Sequence, residues 1–237
     1  MCAVKSLYTT DVADIEERLD KIKSTGYWYV NIHPIQFEKQ KIESPERCWE
    51  IVESCRVFLR GWDYPVINER ERVFGEDWVQ SGADFMGIVE IWRFYQSGQF
   101  VHYFSCLEDY RMKPDEYKSN KFDRALSFTS TLYRITEIFE FATRLALKNV
   151  LENGVSISIK LSGMKGRGLY EPGRSVVWEY ISDHDEIAVE SNLSTINLIA
   201  SSYNEAIDKA LEIYSKFGLV SYPRSLLAEE QRRFLGR

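Results

Sequence analysis

Two stretches of this sequence hold side chains whose types and spacing could do chemistry. The first covers residues 88–104, where Ile88 to Gln96 and Gln99 to Phe104 are aromatic and β-branched runs separated by Ser97-Gly98, a two-residue hairpin signal. With the turn there, Gln96 pairs with Gln99, Tyr95 with Phe100, Phe94 with Val101, Arg93 with His102 and Trp92 with Tyr103. Arg93 and His102 then stand side by side between two apolar faces, where an unpaired charge is too costly to keep. One reading is an anion or phosphate site with aromatic walls, in which Arg93 binds and His102 tunes the site or transfers a proton. The other is a structural pair held by carboxylates such as Glu90 or Asp63.

The second stretch is residues 162–174, which hold four glycines, the three cations Lys165, Arg167 and Arg174, and one acid, with Lys160 just before them. Glycine lets backbone N–H groups approach an anion, and the cations supply the field, so Lys160, Lys165, Arg167 and Arg174 are the expected binding set of a mobile basic finger. Its targets are nucleic-acid phosphates or a partner protein, with an ordinary solvated loop as the alternative. The spacing Gly163-x-x-Gly166-x-Gly168 is neither a Walker nor a dinucleotide fingerprint. Residues 175–190 then carry five acids and no Lys or Arg. Ser182-Asp183-His184-Asp185-Glu186 reads as a solvated tip rather than a metal site.

Other chemistries find less support. The chain shows no G-x-S-x-G, H-E-x-x-H or P-loop, so no catalytic residue, metal site or cofactor is assigned. Pro114-Asp115-Glu116-Tyr117-Lys118 resembles the acid-x-Lys element of metal-dependent nucleases, which hold Mg²⁺ with carboxylates. It lies in a polar segment without a hydrophobic strand beneath it, and a metal-dependent nuclease or other phosphate-directed hydrolase stands as the competing class. Cys2, Cys48, Cys55 and Cys106 form no C-x-x-C pair and read as reduced thiols, two of them on a buried helix face. His33, His102 and His184 are far apart, which argues against a Cys/His zinc site.

The elements that must position these residues are mostly legible. Val12, Ile15, Leu19 and Ile22 recur at helical spacing before Gly26, and a strand follows from Tyr27 to Ile32. Ser44-Pro45-Glu46 opens a helix to about Cys55, and a strand is expected over 56–60. Residues 61–86 read as an ordered loop packed on the core, and 108–124 as a polar loop. A long helix is expected over about 124–151, then a strictly alternating strand from Val155 to Leu161, with two more over 175–181 and 186–190. Ser202-x-x-Glu205 reads as a capping box opening the next helix, closed by Gly218. A short helix over about 225–234 carries Leu226, Leu227 and Phe234, and either folds back or docks on a neighbour.

The 237 residues carry 30 Lys+Arg against 36 Asp+Glu, for a net charge of -6, so any nucleic-acid site must be local. No uncharged apolar run approaches the ~20 residues that span a bilayer, and no secretory leader is evident. A cytoplasmic protein without membrane partners is expected: one α+β domain over 1–237 with a mixed, largely antiparallel sheet and helices packed on it. A homo-oligomer stays open.

Tyr27-Trp28-Tyr29-Val30-Asn31-Ile32-His33-Pro34, Leu59-Arg60-Gly61-Trp62-Asp63-Tyr64-Pro65, residues 92–102 and Lys216-Phe217-Gly218 resemble a poorly characterised bacterial module that often accompanies Schlafen-like (AlbA-type) DNA- or ATP-binding proteins. The similarity covers about residues 27–237. It implies a bacterial, defence-related setting with nucleic-acid or protein partners, and carries over no catalytic residue. The function expected is an accessory interaction module without its own catalysis, acting in a complex with a partner chain.

Overall fold

Alternation makes the sheet. In Val155–Ser162 the residues Val155, Ile157, Ile159 and Leu161 are buried, while Ser156, Ser158 and Lys160 face the other way. The computed structural model describes residues 12–85, 87–111, 122–171 and 180–237. In chain order, α1 (Val12–Lys23) leads to β1 (Tyr27–Pro34) and α2 (Pro45–Cys55), followed by the short pair β2 (Val57–Phe58) and β3 (Asp63–Tyr64). A 3-10 turn at Glu69–Glu71 precedes β4 (Val73–Phe74), β5 (Trp78–Phe85), β6 (Ile88–Tyr95), β7 (Phe100–Ser105) and the short α3 (Glu108–Arg111). Then come β8 (Ala125–Ser127), α4 (Phe128–Leu147), β9 (Val155–Ser162), β10 (Gly168–Tyr170), β11 (Glu186–Leu193), α5 (Thr195–Ser215) and α6 (Arg224–Phe234).

The expected α+β architecture is what forms. Seven strands pair in the order β11-β9-β1-β7-β6-β5-β4, every neighbour antiparallel, and β8 and β10 make a separate parallel pair. On the inner face Trp28, Val30, Ile32, Trp92, Phe94, Phe100, Ile157, Ile159, Ile187 and Val189 meet the apolar sides of α2, α4 and α5 in one buried cluster. On the outer face Ile15, Leu19 and Ile22 of α1 pack against Val89, Ile91, Tyr27 and Tyr103. Among the described residues no helix is long and apolar enough to cross a membrane.

Several boundaries differ from the sequence reading, each for a physical reason. The presumed loop over 61–86 contains β5, a full strand. Its central residues Gln80, Ser81 and Gly82 are small or polar yet buried, so the apolar alternation that marks a strand is missing. A Cβ at Gly82 would come within 2.3 Å of the Glu90 carbonyl, so the strand passes where a side chain will not fit. The strand expected over 56–60 shrinks to two residues, and α3 occupies the start of the polar loop. The long helix begins at Phe128, capped by Ser127, whose hydroxyl accepts from Ser130 N at 3.2 Å.

α5 likewise starts seven residues before Ser202, with Ser194 as cap. Serine is tolerated inside a helix when its hydroxyl donates back to the previous turn, as Ser201 does to the Asn197 carbonyl at 2.6 Å. α6 folds back on the domain: Leu227 is buried, Gln231 donates to Thr136 Oγ1 at 2.9 Å, and Phe234 stacks on Tyr133 at 4.0 Å. Cys48 and Cys55 share the buried side of α2 as free thiols, and burial pushes the Cys48 thiol up to about 12. The strand expected over 175–181 lies largely outside the described residues, as do Arg174 and the Asp115-Glu116 pair.

Candidate functional site

The hairpin loop is one residue longer than Ser97-Gly98. Gly98 N donates to the Tyr95 carbonyl at 2.8 Å and Tyr95 N to the Gln99 carbonyl at 2.9 Å, leaving Gln96, Ser97 and Gly98 in the loop. Gly98 takes φ +82°, the left-handed residue that a three-residue hairpin loop requires. The register therefore pairs Arg93 with Val101 and Trp92 with His102. The expected side-by-side Arg93 and His102 are corrected: the two project from opposite faces of the sheet.

His102 is on the inner face and fully buried, among the rings of Tyr64, Phe100 and Phe104 at 5.3, 5.7 and 4.7 Å. Its Nε2 lies 3.3 Å from Glu90 Oε1 without the alignment of a hydrogen bond, and neither ring nitrogen has a hydrogen-bond partner among the described residues. Burial lowers the His102 pKa against the opposing pull of Glu90. Glu90 Oε1 accepts from Val66 N at 2.8 Å, while Trp92 Nε1 donates to the Val66 carbonyl at 2.8 Å. His102 is thus enclosed by aromatic rings beside the Glu90 carboxylate rather than facing a ligand.

The basic loop is also corrected, at Arg167. Gly163 and Gly166 take φ of +72° and +74° and turn the chain inward, so Met164 and Arg167 are fully buried. The Arg167 guanidinium donates to both Asp109 carboxylate oxygens at 2.7 Å and to the Ala125 carbonyl at 2.6 Å. Burial works against its charge, but the Asp109 hydrogen bonds and the surrounding negative groups more than offset it and raise its proton affinity. A Cβ at Gly26 would fall 2.2 Å from Arg167 Nη2, so Gly26 ends α1 and also makes room for this guanidinium. Arg167 thus ties three segments together and has no surface to offer a partner. Lys160 stands on the outer face with Nζ 2.9 Å from Glu186 Oε1, and Lys165 is exposed.

Arg93 is different. Half-buried on the outer face, it donates through Nε and Nη2 to Gln80 Oε1 at 3.1 and 2.7 Å, and its Cζ lies 4.0 Å from the Trp78 ring centroid. No carboxylate pairs with it among the described residues. It lines a cavity of about 180 Å³ between α1 and the sheet, whose other walls are Ile15, Leu19, Ile91, Tyr95, Val101 and Tyr103. Lys23 stands over the Tyr103 ring at 5.7 Å. Gln80 and Trp78 escaped the sequence reading because β5 did, and nothing local in Trp78-x-Gln80 announces its partner thirteen residues away.

No protein-family model matches the chain, and no curated protein or solved structure matches it. Among the described residues no group of three or more His, Cys, Asp or Glu is placed to hold a metal ion. Among the described residues the outer cavity offers a ligand a cation without an acid partner, a neutral amide that orients it, and apolar walls.

Proposed function

We propose that this chain is an accessory interaction module that takes single-stranded nucleic acid on the outer face of its sheet, with a base in the cavity under α1 and a phosphate against Arg93. The observation that carries this reading is Arg93 itself, a half-buried guanidinium lining an apolar, aromatic cavity and paired with no carboxylate among the described residues. A dry cavity of ~150 Å³ accepts a benzene ring, so about 180 Å³ is of the right order for a nucleobase. Stacking on aromatic side chains supplies ~1–3 kcal/mol per base without demanding a sequence. The resemblance to a bacterial module that accompanies DNA-binding, defence-related proteins points the same way.

Only Arg93 and Lys23 are free of ion pairs near the cavity among the described residues, so the salt dependence should be shallow, with a slope near one or two rather than the steep loss of a basic groove. The test is fluorescence anisotropy with a labelled oligothymidine across a salt series. Wild type should bind, and Arg93→Ala should weaken binding about tenfold. Equal affinity of the two proteins removes Arg93 from the function. Binding of an acidic peptide in place of the oligonucleotide, lost in Arg93→Ala, would move the reading to a protein partner. Cleavage of the probe with Mg²⁺, abolished by Asp115→Asn, would replace the module by a nuclease.

A further inference from the structure

The inner side of the sheet holds a second cationic site that shares no residue with the outer cavity. Arg60 grips Glu137 in a fork, Nε to Oε1 at 3.0 Å and Nη2 to Oε2 at 2.5 Å, and Arg134 Nη1 lies 3.4 Å from the same Oε2. Glu137 is fully buried, so two guanidiniums share this one carboxylate, with Glu108 as the further acid that acts on Arg60. Burial, and after it the repulsion of Arg134, pulls the Arg60 proton affinity down. Arg134 is set across the Phe104 and Tyr64 rings at 4.7 and 5.7 Å, which fixes its direction.

Both arginines line a small pocket of about 20 Å³ together with Ser105, Glu108, Ser130 and Thr131. Thr131 and Ser105 are 1% and 7% exposed, and neither hydroxyl has a hydrogen-bond partner among the described residues. Buried hydroxyls are rarely left this way, because an unsatisfied polar group is costly. Glu108 is the one acid on the wall. Burial raises its pKa toward the neutral acid, and its Oε1 already accepts from Ser127 N at 2.9 Å. The arginine side chains keep 12% and 14% of their surface in solvent, so the pocket is reached from outside.

We infer that this pocket recognises a phosphoryl group, which enters with one oxygen against the Ser105 and Thr131 hydroxyls and spreads its charge over Arg60 and Arg134. The volume has room for roughly one water-sized atom, so a single oxygen is seated and the rest of the group stays at the mouth. The Arg60 fork is held by Glu137, so Arg134, which reaches Glu137 through Nη1 alone, meets the oxygens that remain. Inorganic phosphate and a phosphomonoester present the same chemistry, and the experiment separates them.

The full chain is titrated calorimetrically with inorganic phosphate and with phenyl phosphate, against sodium chloride at matched ionic strength. Wild type should bind one equivalent of phosphate specifically. Thr131→Val and Ser105→Ala each discard a hydroxyl that has no partner, so the fold should be kept, and each should weaken binding roughly tenfold. If phosphate and phenyl phosphate compete, the oxyanion alone is recognised. If only phenyl phosphate binds, and Thr131→Val weakens it, the natural ligand is a phosphorylated molecule. The inference is overturned if neither probe binds beyond the chloride control, or if both hydroxyl variants bind as wild type. It also fails if Arg93→Ala removes the signal while Thr131→Val retains it, because the anion then sits in the outer cavity.

Discussion

Arg167 and Arg93 are neutralised in opposite ways. Arg167 has lost all contact with water and is compensated by a bidentate carboxylate and a backbone carbonyl. Arg93 keeps partial access to water and, among the described residues, is held by a neutral amide and a ring. The sequence puts one in a glycine-rich basic loop and the other in an apolar hairpin, and composition alone ranks the loop as the binding surface. The contacts reverse the order: charge already cancelled by a fixed partner builds structure, and charge oriented but not cancelled is available to a ligand.

The widest gap between the two should appear in stability. Arg167→Met strands the Asp109 carboxylate, which is 9% exposed, and should cost about 3–5 kcal/mol in urea unfolding, much of it recovered by adding Asp109→Leu. Arg93→Ala should cost under ~1 kcal/mol by the same measurement, while weakening oligothymidine binding about tenfold. If Arg93→Ala unfolds the protein as readily as Arg167→Met, the contrast is gone.

A smaller effect concerns pH. The His102 pKa is lowered in the folded protein from 6.5, so the unfolded chain takes up the proton first. The neutral ring's contribution is fully present above pH 6.5 and is lost as pH falls below it, with a slope bounded by ~1.4 kcal/mol per pH unit. His102→Gln should flatten that part of the stability profile, and an unchanged profile would show that another group carries it. Least of all should Lys160→Ala matter. Its ion pair with Glu186 joins a 37% exposed side chain to a 53% exposed one, and solvent screening reduces its worth to a few tenths of a kcal/mol.

Much of the fold was legible where a single rule governs a segment. The apolar period of α1, the Ser44-Pro45 start of α2 and the alternation of β9 each repeat one signal several times. β5 was not legible, because buried Gln80, Ser81 and Gly82 obey packing against distant neighbours rather than a local pattern. At the candidate site Ile91 and Tyr95 were foreseen on the Arg93 face, whereas Val101 and Tyr103 were expected on the opposite one and Gln80 and Trp78 were not foreseen. His102 was assigned to the wrong side by a single residue of loop length, and the Arg60-Glu137-Arg134 group joins residues up to 77 positions apart, beyond the reach of any spacing rule.

That one residue of loop gives the hairpin a parity. A strand presents its odd and even positions to opposite sides, so the count of residues between β6 and β7 decides which set of side chains each compartment receives. Removing Ser97 would offer the choice between breaking the loop and exchanging the two sets, with Val101 and Tyr103 sent into the core and His102 turned out toward α1. The loop at Gln96-Ser97-Gly98 touches neither proposed ligand, yet it is the bookkeeper of both sites: insertions there are tolerable in pairs and ruinous singly.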